Sequence, residues 1–290
     1  MFAVMGITGQ VGGAVARALL AKQKAVRAIV RSEEKGAAWA EQGCEIAVAS
    51  IDDAAALQRA FAATEGVFVM LPPIFDPSPG FPEARAAIAN IAQALEAAEP
   101  RKVVCLSTIG GHLERPNLLN QLHLMEERLS ALPLPVCFLR PGWFMENASW
   151  DVAPARETGV VPSFLQPLGK LYPMVATEDV GSVAAELLLE DRLGRRVVEL
   201  EGPRRISPND VAAAFSKELG REVRMEVVPE DRWEALFRSQ GMTNPEPRMQ
   251  MLHGFNQGWI EFEGGEAHSR KGETPIDEVV RALLNRGAAQ

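Results

Sequence analysis

The first thirteen residues run an apolar strand into a glycine-punctuated turn and then a helix, and no other stretch restricts the fold as much. Phe2-Ala3-Val4-Met5 reads as the strand. Gly6-Ile7-Thr8-Gly9-Gln10-Val11-Gly12-Gly13 reads as the turn, and residues 14–20 carry apolar side chains at helical spacing. A helix N-terminus offers unpaired N–H groups and a partial positive charge to a phosphate. Gly6 and Gly9 let the backbone turn sharply and approach a pyrophosphate, and Gly12 lets the helix pack close to the strand. The spacing, Gly-x-x-Gly-x-x-Gly, differs from the commoner Gly-x-Gly-x-x-Gly. Its place between the first strand and the first helix makes dinucleotide binding the leading reading, with Gly6, Thr8, Gly9, Gln10, Val11 and Gly12 as the contact residues. A strand-to-helix turn with no ligand is the plainer alternative.

The first half of the chain continues the alternation. Strand-like stretches are expected at 26–31, 45–49, 66–71, 102–107 and 135–140. Helices are expected between them at 34–42, 54–62, 82–98 and 117–131. The strands are short, continuous apolar runs, as needed where helices cover both faces of a sheet. Strands alternating with helices imply a parallel sheet built from right-handed crossovers. The predicted fold is therefore α/β, a Rossmann-type doubly wound parallel sheet. The second half reads differently. Residues 151–172 hold Pro154, Pro162 and Pro167 and are expected to be irregular or short-stranded. Thr177-Glu178-Asp179 opens a helix to Leu189, and residues 197–201 form a further strand. Ser207-Pro208-Asn209-Asp210 and Thr274-Pro275-Ile276-Asp277 each carry helix-start signatures. The expected organisation is a dinucleotide-binding domain at 1–153, with 174–201 returning to it. Residues 154–173 and 202–290 would form a smaller, irregular α+β lobe for substrate or partner.

With 290 residues, 47% of them hydrophobic, the chain can bury a sizeable core, and its net charge of −8 argues against direct nucleic-acid binding. No stretch has the apolar length to span a bilayer, and no signal peptide is apparent, so a cytoplasmic protein without membrane contact is expected. Cys44, Cys105 and Cys137 are widely spaced and read as core thiols of a reduced compartment. His112, His123, His253 and His268 lack metal-ligand spacing, so no metal is expected.

In sheets of this type the end of the second strand faces the adenosine ribose, where a basic residue accommodates the phosphate of NADP and an acidic one favours NAD. The position falls on Arg31, with Lys35 close by, which favours NADP(H) over NAD(H). Glu33 and Glu34 weigh the other way. The nicotinamide half crosses the carboxyl ends of the strands, which places Leu71, Pro72, Ser107 and Thr108 beside it.

The glycine turn, the strand ending in Arg31, Leu139-Arg140-Pro141-Gly142-Trp143-Phe144-Met145-Glu146-Asn147 and Val175-Ala176-Thr177-Glu178-Asp179-Val180-Gly181 together resemble the NmrA-like branch of the atypical short-chain dehydrogenases. Gly258-Trp259-Ile260-Glu261-Phe262 is also similar to some bacterial members. The resemblance implies NADP(H) binding. It points to quinone and azo-dye reductases, to isoflavone-reductase-like enzymes, or to regulators that bind the cofactor without turning it over. Many relatives hold the adenine with an Asp after the third strand; Ser50 stands there, with Asp52 and Asp53 near. Typical members also carry a Lys four residues before the Glu of a Glu-x-x-Leu segment. In Leu122-His123-Leu124-Met125-Glu126-Glu127-Arg128-Leu129 that position is Leu122, with His123 beside it.

Ordinary short-chain dehydrogenases use Tyr-x-x-x-Lys, in which lysine lowers the tyrosine pKa so that it can protonate a forming alkoxide. This chain has one tyrosine, Tyr172, with Ala176 four residues later, so that centre is absent. Quinone reduction leaves a weakly basic, delocalised phenolate that water or a histidine can protonate. The inventory tilts toward a quinone-like or other small conjugated acceptor. Trp143, Phe144, Asn147, Tyr172 and the loop at 72–81 are the substrate-side candidates, and His112 or His123 the proton donor. The competing reading is a non-catalytic regulator that senses NAD(P) through a protein partner; a homodimer is likewise left open.

Overall fold

The computed structural model describes residues 1–192 and 194–286. Leu193, in the segment expected to return to the first domain, and residues 287–290 of the expected second lobe lie outside the described residues. Two compact units result: Met1–Glu114, Leu119–Arg140 and Thr177–Val198 form unit one, and Arg115–Leu118, Pro141–Ala176 and Glu199–Gln290 form unit two.

Unit one alternates strand and helix as its sequence implies: β1 (Phe2–Val4), α1 (Gln10–Ala21), β2 (Val26–Val30), α2 (Glu33–Ala40), β3 (Glu45–Val48), α3 (Ala54–Phe61), β4 (Gly66–Val69), α4 (Pro82–Ala98), β5 (Val103–Leu106), α5 (Asn120–Ser130) and β6 (Val136–Pro141). A doubly wound, Rossmann-like sheet follows. Its eight strands run β12-β10-β6-β5-β4-β1-β2-β3, the first two of that order, β12 (Arg270–Lys271) and β10 (Arg196–Glu201), coming from the later part of the chain. Pairing is parallel throughout β6-β5-β4-β1-β2-β3, with Phe2 opposite Val26 on one side and Gly66 on the other. The β4 and β5 sequences, Gly-Val-Phe-Val and Val-Val-Cys-Leu, are buried at every position because helices cover both faces. Phe61, Leu57, Ile91, Leu95 and Phe138 are at the centre of that core. In such a parallel sheet every strand presents its carboxyl end to the same edge, and that edge carries the turns considered below.

Between Pro141 and Ala176 the chain forms β7 (Trp143–Phe144), a 3-10 helix at Met145–Asp151, α6 (Val152–Glu157), β8 (Val160–Ser163) and β9 (Met174–Val175). The stretch expected to be irregular thus contains a short helix as well as short strands. Helix α7 (Thr177–Leu189) returns to unit one, and β10 leads out of it. Unit two then adds α8 (Pro208–Leu219), β11 (Arg224–Val227), α9 (Trp233–Ser239), α10 (Glu246–Gln257), β12 and α11 (Ile276–Arg286). Parallel pairs β8–β11 and β7–β9 make two small sheets there. Ser207 and Asp210 close a reciprocal capping box at the start of α8. Glu201 is fully buried between Arg205 Nε at 2.9 Å and Lys271 Nζ at 2.6 Å, while Arg205 grips Glu261 with both terminal nitrogens. The Gly258–Phe262 motif is therefore anchored through its carboxylate. No helix among the described residues is long and apolar enough to cross a membrane.

Candidate functional site

The turn after β1 has the geometry its glycines allow. Gly6 has φ +65°, a left-handed conformation that disfavours any side chain, and a Cβ there would run into Met70 Sδ. A Cβ on Gly12 would collide with the Gly6 carbonyl, so the first turn of α1 lies directly against the end of β1. Gly9 is the N-cap. It supplies no side-chain acceptor to the first-turn amides, and the first turn of α1 holds no acidic residue. A close-approach cradle with an uncapped, electropositive helix end is what a diphosphate requires. Thr8 and Gln10 are exposed at its rim and Val11 is buried beneath it. Thr177 Oγ1 lies 3.3 Å from Gln10 Oε1 and donates to it.

Arg31 follows directly on β2 and is exposed, as is Lys35 one turn into α2. Ser50 is half-buried after β3 and its hydroxyl lies 3.3 Å from Asp52 Oδ2, whereas Asp53 is the N-cap of α3, accepting from the Ala56 amide at 2.9 Å. Beside them is a cavity of about 140 Å³ lined by Asp52, Leu71, Pro72, Ile74 and Gln121. Gln121 is buried and its amide donates to the Ile74 carbonyl at 3.1 Å, tying α5 to the proline-rich loop. The cradle residues, Arg31, Ser50, Leu71 and Pro72 all belong to unit one and stand at the carboxyl ends of β1, β2, β3 and β4.

The end of β5 carries the densest polar chemistry in unit one. Ser107 is 5% exposed and donates its hydroxyl to Glu126 Oε1, so it is engaged inside the fold, while Thr108 is half-buried next to it. Arg140, at the end of β6, grips the same carboxylate bidentately, Nε to Oε1 at 2.8 Å and Nη2 to Oε2 at 2.6 Å. Both partners are buried, and a Cβ on Gly111 would press on Glu126, Ser107 and Arg140 together. The Gly111 carbonyl in turn accepts from His123 Nδ1 at 2.9 Å. A carbonyl cannot donate, so Nδ1 carries the proton, and Nε2 is left on the side of Glu127, 3.8 Å from Oε1. His112 follows Gly111 in the chain, and its Nδ1 is a buried atom without a hydrogen-bond partner. Both candidate proton donors therefore meet at Gly111.

Of the substrate-side candidates, Trp143, Phe144, Asn147 and Tyr172 lie in unit two, whereas the loop at 72–81 belongs to unit one. Trp143 and Phe144 are half-buried in β7, and Trp143 meets Phe255 edge-to-face at 5.2 Å between ring centroids. Asn147 is half-buried in the 3-10 helix. Tyr172 is 1% exposed; its hydroxyl donates to the Gln166 carbonyl at 2.9 Å and lies 3.1 Å from Asn256 Oδ1, and burial pushes the phenol above its ordinary range. That ring braces unit two from within, apart from any open surface. Cys105 and Cys137 are buried in β5 and β6; burial raises both thiols, Cys137 to about 11, which leaves them inert as nucleophiles.

Sequence reasoning did not pair Glu126 with Arg140. One signal was present: Arg140 ends the otherwise apolar run Val136-Cys137-Phe138-Leu139, and a charge in a buried strand needs a partner.

The chain is 26% identical over 244 residues to the NAD(P)H azoreductase of Xenophilus azovorans, covering 83% of this chain and 82% of that protein. It is 27% identical over 245 residues to quinone oxidoreductase 2 of Escherichia coli (strain K12), with 83% and 82% covered. The solved structure of an NADPH-dependent quinone oxidoreductase from Escherichia coli, complexed with NADPH, superposes with a TM-score of 0.79 at 25% identity, over 98% of this chain and 100% of that one. The family model described as "NmrA-like family" matches residues 1–258, well over half of the chain, and the chain belongs to that family.

Proposed function

We propose that this chain is an NADPH-dependent oxidoreductase that passes hydride to a quinone-like or other small conjugated acceptor without a Tyr-x-x-x-Lys centre. One juxtaposition carries the reading: the glycine cradle at the end of β1 and the His112–Gly111–His123 cluster at the end of β5 share one edge of a parallel sheet. When bound, the reduced nicotinamide supplies a hydride. The rest is the work of the chain. The first turn of α1 holds the diphosphate, and the exposed charges of Arg31 and Lys35 receive the additional phosphate that distinguishes NADPH. Quinone and hydride together make a hydroquinone monoanion, and one proton completes the hydroquinone. With Nδ1 fixed by the Gly111 carbonyl, His123 moves that proton through Nε2, and His112 is the alternative carrier. Trp143, Phe144 and Asn147 stack and orient the flat acceptor. The azoreductase and quinone oxidoreductase relatives support the acceptor class, and the NADPH complex of the latter supports the nucleotide. The buried free thiols fit a reducing compartment such as the cytoplasm.

Nucleotide consumption over a panel of quinones, enones and azo dyes, with calorimetric binding in parallel, tests the proposal. NADPH is expected to bind more tightly than NADH and to be consumed. Arg31→Ala is expected to weaken NADPH by about tenfold and NADH little. Tight binding with no turnover on any acceptor would establish the regulator reading instead. Unchanged rates in both His112→Ala and His123→Ala would remove the histidines from the proton path.

A further inference from the structure

Helix α5 presents three polar side chains at a spacing of three residues, Asn120, His123 and Glu126, and each holds a different point of the turn that follows β5. Asn120 Nδ2 donates to the Leu113 carbonyl at 2.9 Å, His123 Nδ1 donates to the Gly111 carbonyl at 2.9 Å, and Glu126 Oε1 accepts from the Ser107 hydroxyl. Residues three apart are neighbours on a helix surface, so one side of α5 clamps the turn along its length. All of these residues belong to unit one. The turn also bonds to itself, Gly111 N–H to the Thr108 carbonyl at 3.0 Å and Leu113 N–H to the Gly110 carbonyl at 2.9 Å, and the Gly111 carbonyl goes to His123. Glu126 is the buried member of the three, held by Arg140 at the end of β6. A Cβ on Gly111 would come within 2.5 Å of Glu126 Oε1, 2.9 Å of Ser107 Oγ and 3.1 Å of Arg140 Nε, so the Gly111 backbone rests directly on that ionic cluster. A buried polar network of this kind is rigid. The carbonyl that receives the His123 proton is therefore fixed from beneath. An imidazole left to water carries its proton mainly on Nε2, whereas a carbonyl at Nδ1 reverses that and leaves Nε2 able to accept.

We propose that Glu126 is a positioning residue for His123. Through Ser107 and Arg140 its carboxylate sets where the Gly111 carbonyl stands, and so keeps the His123 proton on Nδ1 and the lone pair on Nε2. This deepens the proton path proposed above, and it rests on that reading only for its effect on rate.

Isotope labelling of the histidine ring nitrogens in the full-length chain, read by NMR at about pH 8.5 where an ordinary imidazole is neutral, reports which nitrogen carries the proton. The His123 signals are those lost in His123→Gln. Wild type is expected to show Nδ1 protonated. Glu126→Leu combined with Arg140→Met removes both charges of the cluster together. In that protein the ratio of Nδ1–H to Nε2–H forms is expected to fall about fivefold, the worth of one hydrogen bond between neutral groups. Ser107→Ala leaves the ion pair in place and is expected to shift the ratio less, in the same direction. An unchanged ratio in the folded double variant would overturn the positioning role, whatever happens to rate; where the double variant does not fold, an unchanged ratio in Ser107→Ala does so. In the rate arm, kcat with a quinone is expected to fall about fivefold in the double variant while KM for NADPH holds. A shifted ratio with an undiminished kcat would keep the positioning role and remove His123 from the proton path of the proposed function.

Discussion

Gly12 shows how a missing side chain sets chemistry. Its Cα lies so close to the Gly6 carbonyl that a single methyl cannot be placed there without moving the turn or the helix. Gly12→Ala is therefore expected to weaken NADPH binding by about tenfold or more, read by calorimetry, because the amides of α1 no longer converge on one point. Retained affinity in a folded Gly12→Ala protein would show that the diphosphate is held elsewhere. The Glu126–Arg140 pair is the opposite case, a site where charge is present and buried. Glu126→Ala removes the buried counter-charge of Arg140, which costs about 3–5 kcal/mol. The double replacement Glu126→Leu with Arg140→Met removes both charges and is expected to recover most of that loss in thermal melts. A double variant as unstable as the single one would mean that packing, and not the lost counter-charge, dominates the site.

At the scale of elements, α1 presents the cradle only because α7 holds it in place. A Cβ on Gly181 would collide with Ala14, so the two helices pack almost backbone to backbone, and Arg17 pairs with Glu178 at 2.7 Å on the exposed side of that seam. Gly181→Leu is expected to destabilise unit one by at least about 1–3 kcal/mol, the cost of overpacking, and to weaken NADPH binding in the same variant. Loss of stability with full affinity would separate the seam from the cradle. This seam also explains what could be read beforehand. The β1–turn–α1 unit was legible because a buried strand, three spaced glycines and an apolar helix face are all local signals. The Glu-Asp-Val-Gly motif was visible as a resemblance, but its reason, the approach of Gly181 to Ala14, joins positions far apart in the chain. Helix α10 was not foreseen. Gly254 reads as a breaker in sequence, whereas in the fold its bare Cα is what lets Ile260 and Trp259 pack against the helix. Strands β7 and β9 are two residues each, too short for any periodicity to register.

For the molecule as a whole, one side chain couples folding to pH in a direction opposite to most carboxylates. Asp151 closes the 3-10 helix after the Arg-Pro-Gly motif, and burial alone pushes its carboxyl up to about 7. A group that holds its proton more tightly when folded favours the fold where it is protonated and opposes it where it is ionised. Below about pH 4 both states are protonated and Asp151 costs nothing. As pH rises from there to about 7 the unfolded chain releases the proton first, so stability falls across that window. Above it the cost is complete, at most about 4 kcal/mol for a displacement of this size. Asp151→Asn keeps the shape and removes the charge. Its melting temperature is therefore expected to match wild type near pH 4 and to exceed it progressively up to about pH 8. A constant gap between the two proteins across that range would show that the carboxyl is solvated in the folded state, and that unit two is more open at this point than its packing describes.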